Sequence, residues 1–279
     1  MTPTVYGLIA HPAGHSLSPK MQNAMMKQYQ IDAHYHAFDI AESDFETAIA
    51  GLRVLNVGGF NVSTPYKQKI ITQLDEISPL AQRLQAVNTV KQVDNRWIGI
   101  NTDGDGFWKS ISEHQRKQNV IILGTGGAAR AVIAQAKTYG VQHLMVFNRY
   151  HNDWVKRQDA IETLSDGIAS LENLDNIEQL NQKLKQADIL INATTVGMDD
   201  DQSLLSKQQV QQLPQHCMVI DMIYRNHYTT LLKDANQRGL NRQNGLPMLV
   251  QQGALSFEYW FDKQANIDMM TAVIEENKK

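Results

Sequence analysis

The residues that could do chemistry in this 279-residue chain fall in a few short stretches. Lys67 follows Thr64-Pro65-Tyr66, and that pattern predicts a helix opening at Thr64-Pro65 and running through Leu74. A lysine in the first turn of such a helix faces the positive end of its dipole. Placed in a cleft, its amine is pushed toward neutrality, which suits a general acid/base; on an open surface it is an ordinary solvated lysine. Asp103, in Gly99-Ile-Asn-Thr-Asp-Gly104, stands where a hairpin ends and a helix begins, and capping alone would account for it. Ser18-Pro19 reads as a helix N-cap followed by proline at the first helical position. Ser16 and Ser18 together at that N-terminus also suit the binding of a carboxylate. The stretch lacks the final glycine of a nucleophile elbow, so Ser18 is not read as a nucleophile.

A second kind of chemistry belongs to Asn119-Val-Ile-Ile-Leu-Gly-Thr-Gly-Gly-Ala-Ala-Arg130. Val120 to Leu123 read as a buried strand, Gly124-Thr125-Gly126-Gly127 as a turn, and Ala128 to Lys137 as a helix. A strand, glycine turn and helix in that order form the phosphate-binding start of a dinucleotide fold. Gly124 permits the turn, Gly126 lets backbone N–H groups approach a pyrophosphate, and Ala129 packs helix on strand. By itself such a turn also occurs as a plain strand-to-helix connection. The next strand, Leu144 to Phe147, ends in Asn148-Arg149. No carboxylate stands there to repel a 2′-phosphate and a guanidinium can bind one, which favours NADP. Asp153 lies close by and keeps NAD open.

These residues need a scaffold, and the pattern of strands and helices supplies one. Val5 to Ala10, His34 to Ile40 and Phe60 to Ser63 read as strands; Lys20 to Gln28 and a helix capped by Ser43 and running to Leu52 lie between them. Ser78-Pro79 opens a short helix, and Ala86 to Val93 with Arg96 to Asn101 form a hairpin turning at Asp94-Asn95. A helix from Asp105 to His114 leads to the glycine turn. Further strands follow at His143 to Phe147, Ala187 to Asn192 and Met218 to Asp221, with helices at Trp154 to Leu164, Glu178 to Lys185 and Thr230 to Arg238. A helical stripe from Leu246 to Trp260 and a helix from Asp268 to Glu276 end the chain. The fold class is therefore α/β: an N-terminal α/β domain of residues 1–103, completed by terminal helices in 246–279 that return to it, and a doubly wound Rossmann domain of residues 104–245. Cofactor and substrate are expected in a cleft between the domains.

A net charge of −3 gives no reason to expect nucleic acid or an anionic membrane as a partner. No apolar run approaches the length of a membrane span, and the apolar run at the N-terminus is too short for a signal peptide. The one cysteine, Cys217, lies in an apolar run and reads as a buried free thiol, which fits a reducing cytoplasm. His34 and His36 share one strand face, but two ligands are too few for a metal, so none is expected.

Taken in order, Gly14-His-Ser-Leu-Ser-Pro19, Asn61-Val-Ser-Thr-Pro-Tyr-Lys67, Ala86-Val-Asn-Thr89, Asn101-Thr-Asp-Gly104, Gly124-Thr-Gly-Gly-Ala128, Asn148-Arg149, Asn192-Ala-Thr-Thr-Val-Gly-Met198, Asp221-Met-Ile-Tyr224, and Asn244-Gly-Leu-Pro-Met248 with Gln252-Gly-Ala254 carry a family resemblance. The chain resembles the shikimate dehydrogenases, including the branch that also uses quinate, over essentially its whole length. The resemblance implies hydride transfer between shikimate and NADP in the shikimate pathway of aromatic amino-acid biosynthesis, with shikimate/quinate dehydrogenation on NAD or NADP as the alternative. It implies Lys67 as acid/base paired with Asp103, Ser16, Ser18 and Tyr224 at the substrate carboxylate, and Ser63, Asn88 and Gln252 at the ring hydroxyls. For the cofactor it implies Gly124, Thr125, Gly126, Gly127, Ala128, Asn148 and Arg149, with Thr195, Met222 and Gly245 on the nicotinamide side. Ser63 replaces a frequent threonine, Tyr150 and Asp153 stand where a threonine and a basic residue often grip the 2′-phosphate, Asn226 replaces a common proline, and Pro247 an aspartate or glycine. A non-catalytic dinucleotide sensor is the reading from another class, and the Lys67–Asp103 pair argues against it. A monomer or homodimer is expected.

Overall fold

The computed structural model describes residues 3–224 and 228–275; Asn226, and the end of the terminal helix at Glu276, lie outside the described residues. The chain forms two compact units, Met1–Gly106 with Val250–Lys279, and Phe107–Leu249.

Among the described residues, the first unit holds six strands, β1 (Thr4–Ala10), β2 (Ala33–Asp39), β3 (Gly59–Val62), β4 (Glu76–Ile77), β5 (Thr89–Val93) and β6 (Arg96–Ile100). Their spatial order is β2-β1-β3-β5-β6-β4. β1 runs parallel to β2 and β3, while β3, β5 and β6 are antiparallel. Helices α1 (Ser18–Gln28) and α2 (Phe45–Val54) make the two parallel crossovers, and α3 (Pro79–Leu84) follows β4. Met21 and Met25, one turn apart on α1, are fully buried, so the helix is held by an apolar stripe. The β5–β6 hairpin turns at Asp94 and Asn95 with φ of 49° and 62°, the mirror-type turn that matches strand twist.

Several local expectations are overturned here. The helix expected from Thr64 through Leu74 is a turn followed by a 3₁₀ segment, Lys69–Gln73. An α-helix would need the Lys67 carbonyl for Ile71; instead that carbonyl accepts from Val87 N at 2.8 Å, and Ile71 N turns to Gln68 O. Ser18 is not the cap of α1: Leu17 holds the N-cap position with no side-chain cap bond. Ser43 likewise does not cap α2, because a 3₁₀ turn at Glu42–Asp44 precedes it. Ser78, by contrast, caps α3 by accepting from Ala81 N. Helix α4 (Asp103–Lys109) starts and stops earlier than expected. Its end is set where the Ser110 hydroxyl and amide both take the Phe107 carbonyl.

The second unit runs β7 (Asn119–Leu123), α5 (Gly127–Gln135), β8 (His143–Asn148), α6 (Trp154–Leu164), β9 (Ala169–Asn173), α7 (Ile177–Leu184), β10 (Ile189–Asn192), α8 (Lys207–Val210), β11 (Met218–Asp221), α9 (Thr230–Gln237) and β12 (Asn241–Gln243). The sheet order is β12-β11-β10-β7-β8-β9, all parallel. Numbered along the chain this is the doubly wound order 3-2-1-4-5-6, whose switch point lies between its first and fourth strands, β7 and β10. Val120 to Leu123 of central β7 are at most 1% exposed, each burial contributing about 1.5–3 kcal/mol. Cys217 is buried and free, its thiol pushed up to about 12 by that burial and by Asp188.

Helices α10 (Leu246–Phe261) and α11 (Ile267–Glu275) end the described chain, and from Val250 onward they belong to the first unit. Trp260 lies against Tyr6 and Tyr35 and donates its indole N–H to Val90 O at 2.9 Å. Helix α10 thus packs on the sheet of the first unit, while α11 lies against α1.

Candidate active site

Lys67 and Asp103 meet in the first unit. Lys67 Nζ donates to Asp103 Oδ2 at 2.8 Å, a charge-assisted bond between side chains that are 29% and 9% exposed. What faces the lysine amine is therefore a carboxylate, not a helix N-terminus. Asp103 opens α4, but both its oxygens are held by side chains remote in sequence: Oδ1 accepts from Asn88 Nδ2 at 2.9 Å. Asn88 is itself fixed, taking Thr102 N on its side-chain oxygen at 2.9 Å and giving its amide to Thr102 Oγ1 at 2.9 Å and, at 3.5 Å, to Gln252 Oε1. Asn88 is buried and orients the Asp103 carboxylate. Gln252 comes this close because α10 crosses α4 at Gly106, where any Cβ would stand 2.7 Å from the Gln252 backbone nitrogen.

The predicted carboxylate-binding hydroxyls sit on the adjoining loop. Ser16 Oγ accepts from Ser18 N at 3.2 Å, and Ser18 is the first residue of α1. The helix is pinned to β2 by Asn23, whose side chain pairs with both the amide and the carbonyl of Tyr35. The Tyr35 phenol donates to Asn61 Oδ1 at 2.8 Å, and Asn61 Nδ2 donates to Asn88 O, Thr89 Oγ1 and Ser256 Oγ. Burial pushes that phenol well above its ordinary value, opposed by a hydrogen bond with Ser18. Ser63 follows β3, with its amide on Ile9 O and its carbonyl on Tyr66 N. One hydrogen-bonded network thus joins Tyr35 and Asn61 to Asn88, Asp103 and Lys67.

In the second unit the remaining predicted residues follow the carboxyl ends of successive strands. The glycine turn leaves β7, Asn148 ends β8, Thr195 follows β10, Met222 and Tyr224 follow β11, and Gly245 follows β12. Gly124 has φ of 101°, and a Cβ there would lie 2.6 Å from Thr194 Cγ2, so only glycine suits this turn. Gly126, the N-cap of α5, and Gly127 are different: a Cβ on either meets nothing within 4 Å. They and Ala128 are exposed at the helix N-terminus, so the open backbone N–H groups fit a pyrophosphate arriving from outside. Asn148 Nδ2 donates to Thr125 Oγ1 at 2.9 Å and braces the turn. Arg149 is exposed, and Asp153 is bonded instead by Arg157 at 2.7 Å, which holds Asp153 below its ordinary range. Gly245 N bonds Ile223 O, and Met222 N bonds Asn192 O. Among the described residues no group of three or more His, Cys, Asp or Glu is placed for a metal, and no helix is long and apolar enough to cross a membrane.

The chain as a whole matches a known family. The chain matches "Shikimate dehydrogenase substrate binding domain" over residues 8–90, "Shikimate / quinate 5-dehydrogenase" over residues 107–224 and "Shikimate 5'-dehydrogenase C-terminal domain" over residues 245–275. It is 39% identical to shikimate dehydrogenase (NADP(+)) of Symbiobacterium thermophilum, across 95% of this chain and 92% of that one. The chain belongs to the shikimate dehydrogenase family. Among solved structures, the shikimate 5-dehydrogenase of Listeria monocytogenes in complex with shikimate and NAD matches with a TM-score of 0.89 at 34% identity, covering 98% of this chain and 96% of that one. The quinate dehydrogenase of Corynebacterium glutamicum in complex with NAD matches with a TM-score of 0.88 at 26% identity, covering 98% and 99%.

Within this shikimate dehydrogenase family member, sequence reasoning assigned no role to several residues that build the site. Asn61 lies in one of the segments that carry the family resemblance, yet its function as the hub between Tyr35, Asn88 and Ser256 depends on partners up to 195 positions away. Gly106 carried no pattern, since its need arises only from the crossing of α10. Asp221 had a visible signal, a carboxylate ending an apolar strand. It is buried and receives Thr229 Oγ1, Asn192 Nδ2 and Ile223 N, so it sets the course of the Met222–Tyr224 segment.

Proposed function

We propose that this chain interconverts shikimate and 3-dehydroshikimate by hydride transfer with NADP(H), as a cytoplasmic enzyme of aromatic amino-acid biosynthesis that works as a monomer or homodimer. The observation that carries the reading is the Lys67–Asp103 pair at 2.8 Å, tied through Asn88 and Asn61 to Tyr35 of β2. When bound, NADP⁺ supplies the hydride acceptor, held at Gly124 to Ala128 and Asn148-Arg149. Ser16, Ser18 and Tyr224 hold the substrate carboxylate, while Ser63, Asn88 and Gln252 take ring hydroxyls. Lys67 Nζ removes the proton from the reacting hydroxyl as its carbon gives up a hydride; in the reverse direction the ammonium returns that proton. Asp103 stabilises the ammonium and, fixed by Asn88, keeps the amine aimed at one oxygen. Arg149 favours NADP because Asp153 is already neutralised by Arg157.

A shikimate/quinate dehydrogenase using NAD is the second reading, supported by the likeness to the Corynebacterium quinate dehydrogenase. The two are separated by steady-state rates for shikimate and quinate against NAD and NADP, read from reduced-cofactor absorbance. The first reading expects the highest kcat/KM for shikimate with NADP; a preference for quinate with NAD favours the second. Absence of turnover in all four combinations contradicts both and leaves the dinucleotide sensor.

A further inference from the structure

Asp39, the last residue of β2, ties the loop before α1 to the sheet. Its Oδ1 pairs with His11 Nδ1 at 2.7 Å, and its Oδ2 accepts from Ala13 N at 3.1 Å. The His11 bond, then the Ala13 amide, hold this carboxyl below its ordinary range. The chain of bonds continues inward: Ala13 O accepts from Ser16 N at 3.1 Å, and Ser16 Oγ accepts from Ser18 N at 3.2 Å. In the other direction His11 N donates to Thr64 O at 3.1 Å, in the segment between Ser63 and Lys67. Packing does little to fix this loop. His11, Pro12, Gly14 and His15 are exposed, a Cβ on Gly14 would meet nothing within 4 Å, and only Ala13 among them is buried. Its position therefore depends mainly on hydrogen bonds, the two that Asp39 makes among them.

We propose that Asp39, together with His11, is a positioning residue for the substrate carboxylate, setting the loop that presents Ser16 and Ser18. The proposal rests on the reading that those two hydroxyls hold the carboxylate. Both members of the pair are about half exposed, at 50% and 49%, and exposed ion pairs contribute little to global stability. Their effect is therefore confined to the loop.

The test uses the full-length enzyme with NADP, comparing Asp39→Ala, Asp39→Asn and Ser18→Ala on shikimate and on its methyl ester, which has no carboxylate. Asp39→Ala is expected to raise KM for shikimate about tenfold, with kcat, KM for NADP and Tm unchanged. Asp39→Asn, which keeps an acceptor for Ala13 N, should lie between wild type and Asp39→Ala. On the methyl ester, Asp39→Ala and wild type should share one KM. An unchanged KM for shikimate, an equal rise on acid and ester, or a loss of Tm accompanying the rise would each overturn the proposal. Ser18→Ala separates the two levels. If it abolishes the preference for acid over ester while Asp39→Ala does not alter it, only the proposal fails; if Ser18→Ala leaves that preference intact, the reading beneath it fails.

Discussion

Two glycines in one turn should respond to the same substitution in opposite ways. At Gly124, φ is 101° and an added Cβ meets Thr194 Cγ2 at 2.6 Å. A left-handed backbone costs an L-residue about 1–2 kcal/mol, and forcing a methyl against the neighbouring side chain adds about 1–3 kcal/mol. Gly124→Ala should therefore destabilise by about 2–5 kcal/mol, lowering Tm by roughly 5–15 °C for a chain of this size. At Gly126 the backbone is extended, with φ of −66° and ψ of 177°, and the Cβ would enter open space. The loss of a favourable N-cap residue and the gain from a stiffer unfolded chain nearly cancel, so Gly126→Ala should change stability by less than about 1 kcal/mol. Its methyl, however, stands where the pyrophosphate must approach. KM for NADP should rise about tenfold or more, the scale of losing a charge-assisted hydrogen bond. Thermal unfolding by circular dichroism and steady-state KM for NADP read the two effects separately. A stable Gly126→Ala variant with wild-type KM for both NADP and NAD would refute the assignment of this turn.

Arg149→Ala should raise KM for NADP about 10- to 100-fold while altering KM for NAD less than about threefold; equal losses would remove Arg149 from the 2′-phosphate. For Asp221, burial raises the folded pKa above the unfolded one despite three opposing donors. Its contribution to stability is therefore complete below the unfolded pKa of about 3.9 and is lost as pH rises through the folded value. Asp221→Asn keeps an oxygen for Asn192 and Ile223 and offers an amide to Thr229 Oγ1. Relative to wild type it should gain stability as pH rises from about 4 to 7, measured by urea midpoints; a marked loss at pH 7 would contradict this.

How much of this was legible in the sequence depended on whether the signal was local. The glycine turn, β7 and α6 were visible because a buried apolar run or helical pattern is complete within its own segment. The strands that escaped notice, β4, β9 and β12, are all sheet edges. Edge strands need bury only one side, and Asn241-Arg-Gln243 carries no apolar pattern at all. The helix expected at Thr64 failed for a tertiary reason, the capture of the Lys67 carbonyl by Val87. That changed the physical argument for Lys67 without displacing the residue: its partner is Asp103, not a helix dipole. Ser18 likewise proved to be held by Ser16 rather than capping its helix. The ties through Asn61, Gly106 and Asp39 join positions far apart in sequence, and no single-segment pattern contains them.

If Lys67 moves the proton, Lys67→Ala must slow turnover without loosening the substrate. Shikimate affinity is measured by calorimetry and turnover with NADP by absorbance on the same preparation. Loss of a positioned acid/base should lower kcat about 100- to 10,000-fold, with the shikimate Kd within about threefold of wild type because Ser16, Ser18 and Gln252 remain. A kcat that stays at the wild-type value, or that falls only as far as Kd weakens, would contradict the account.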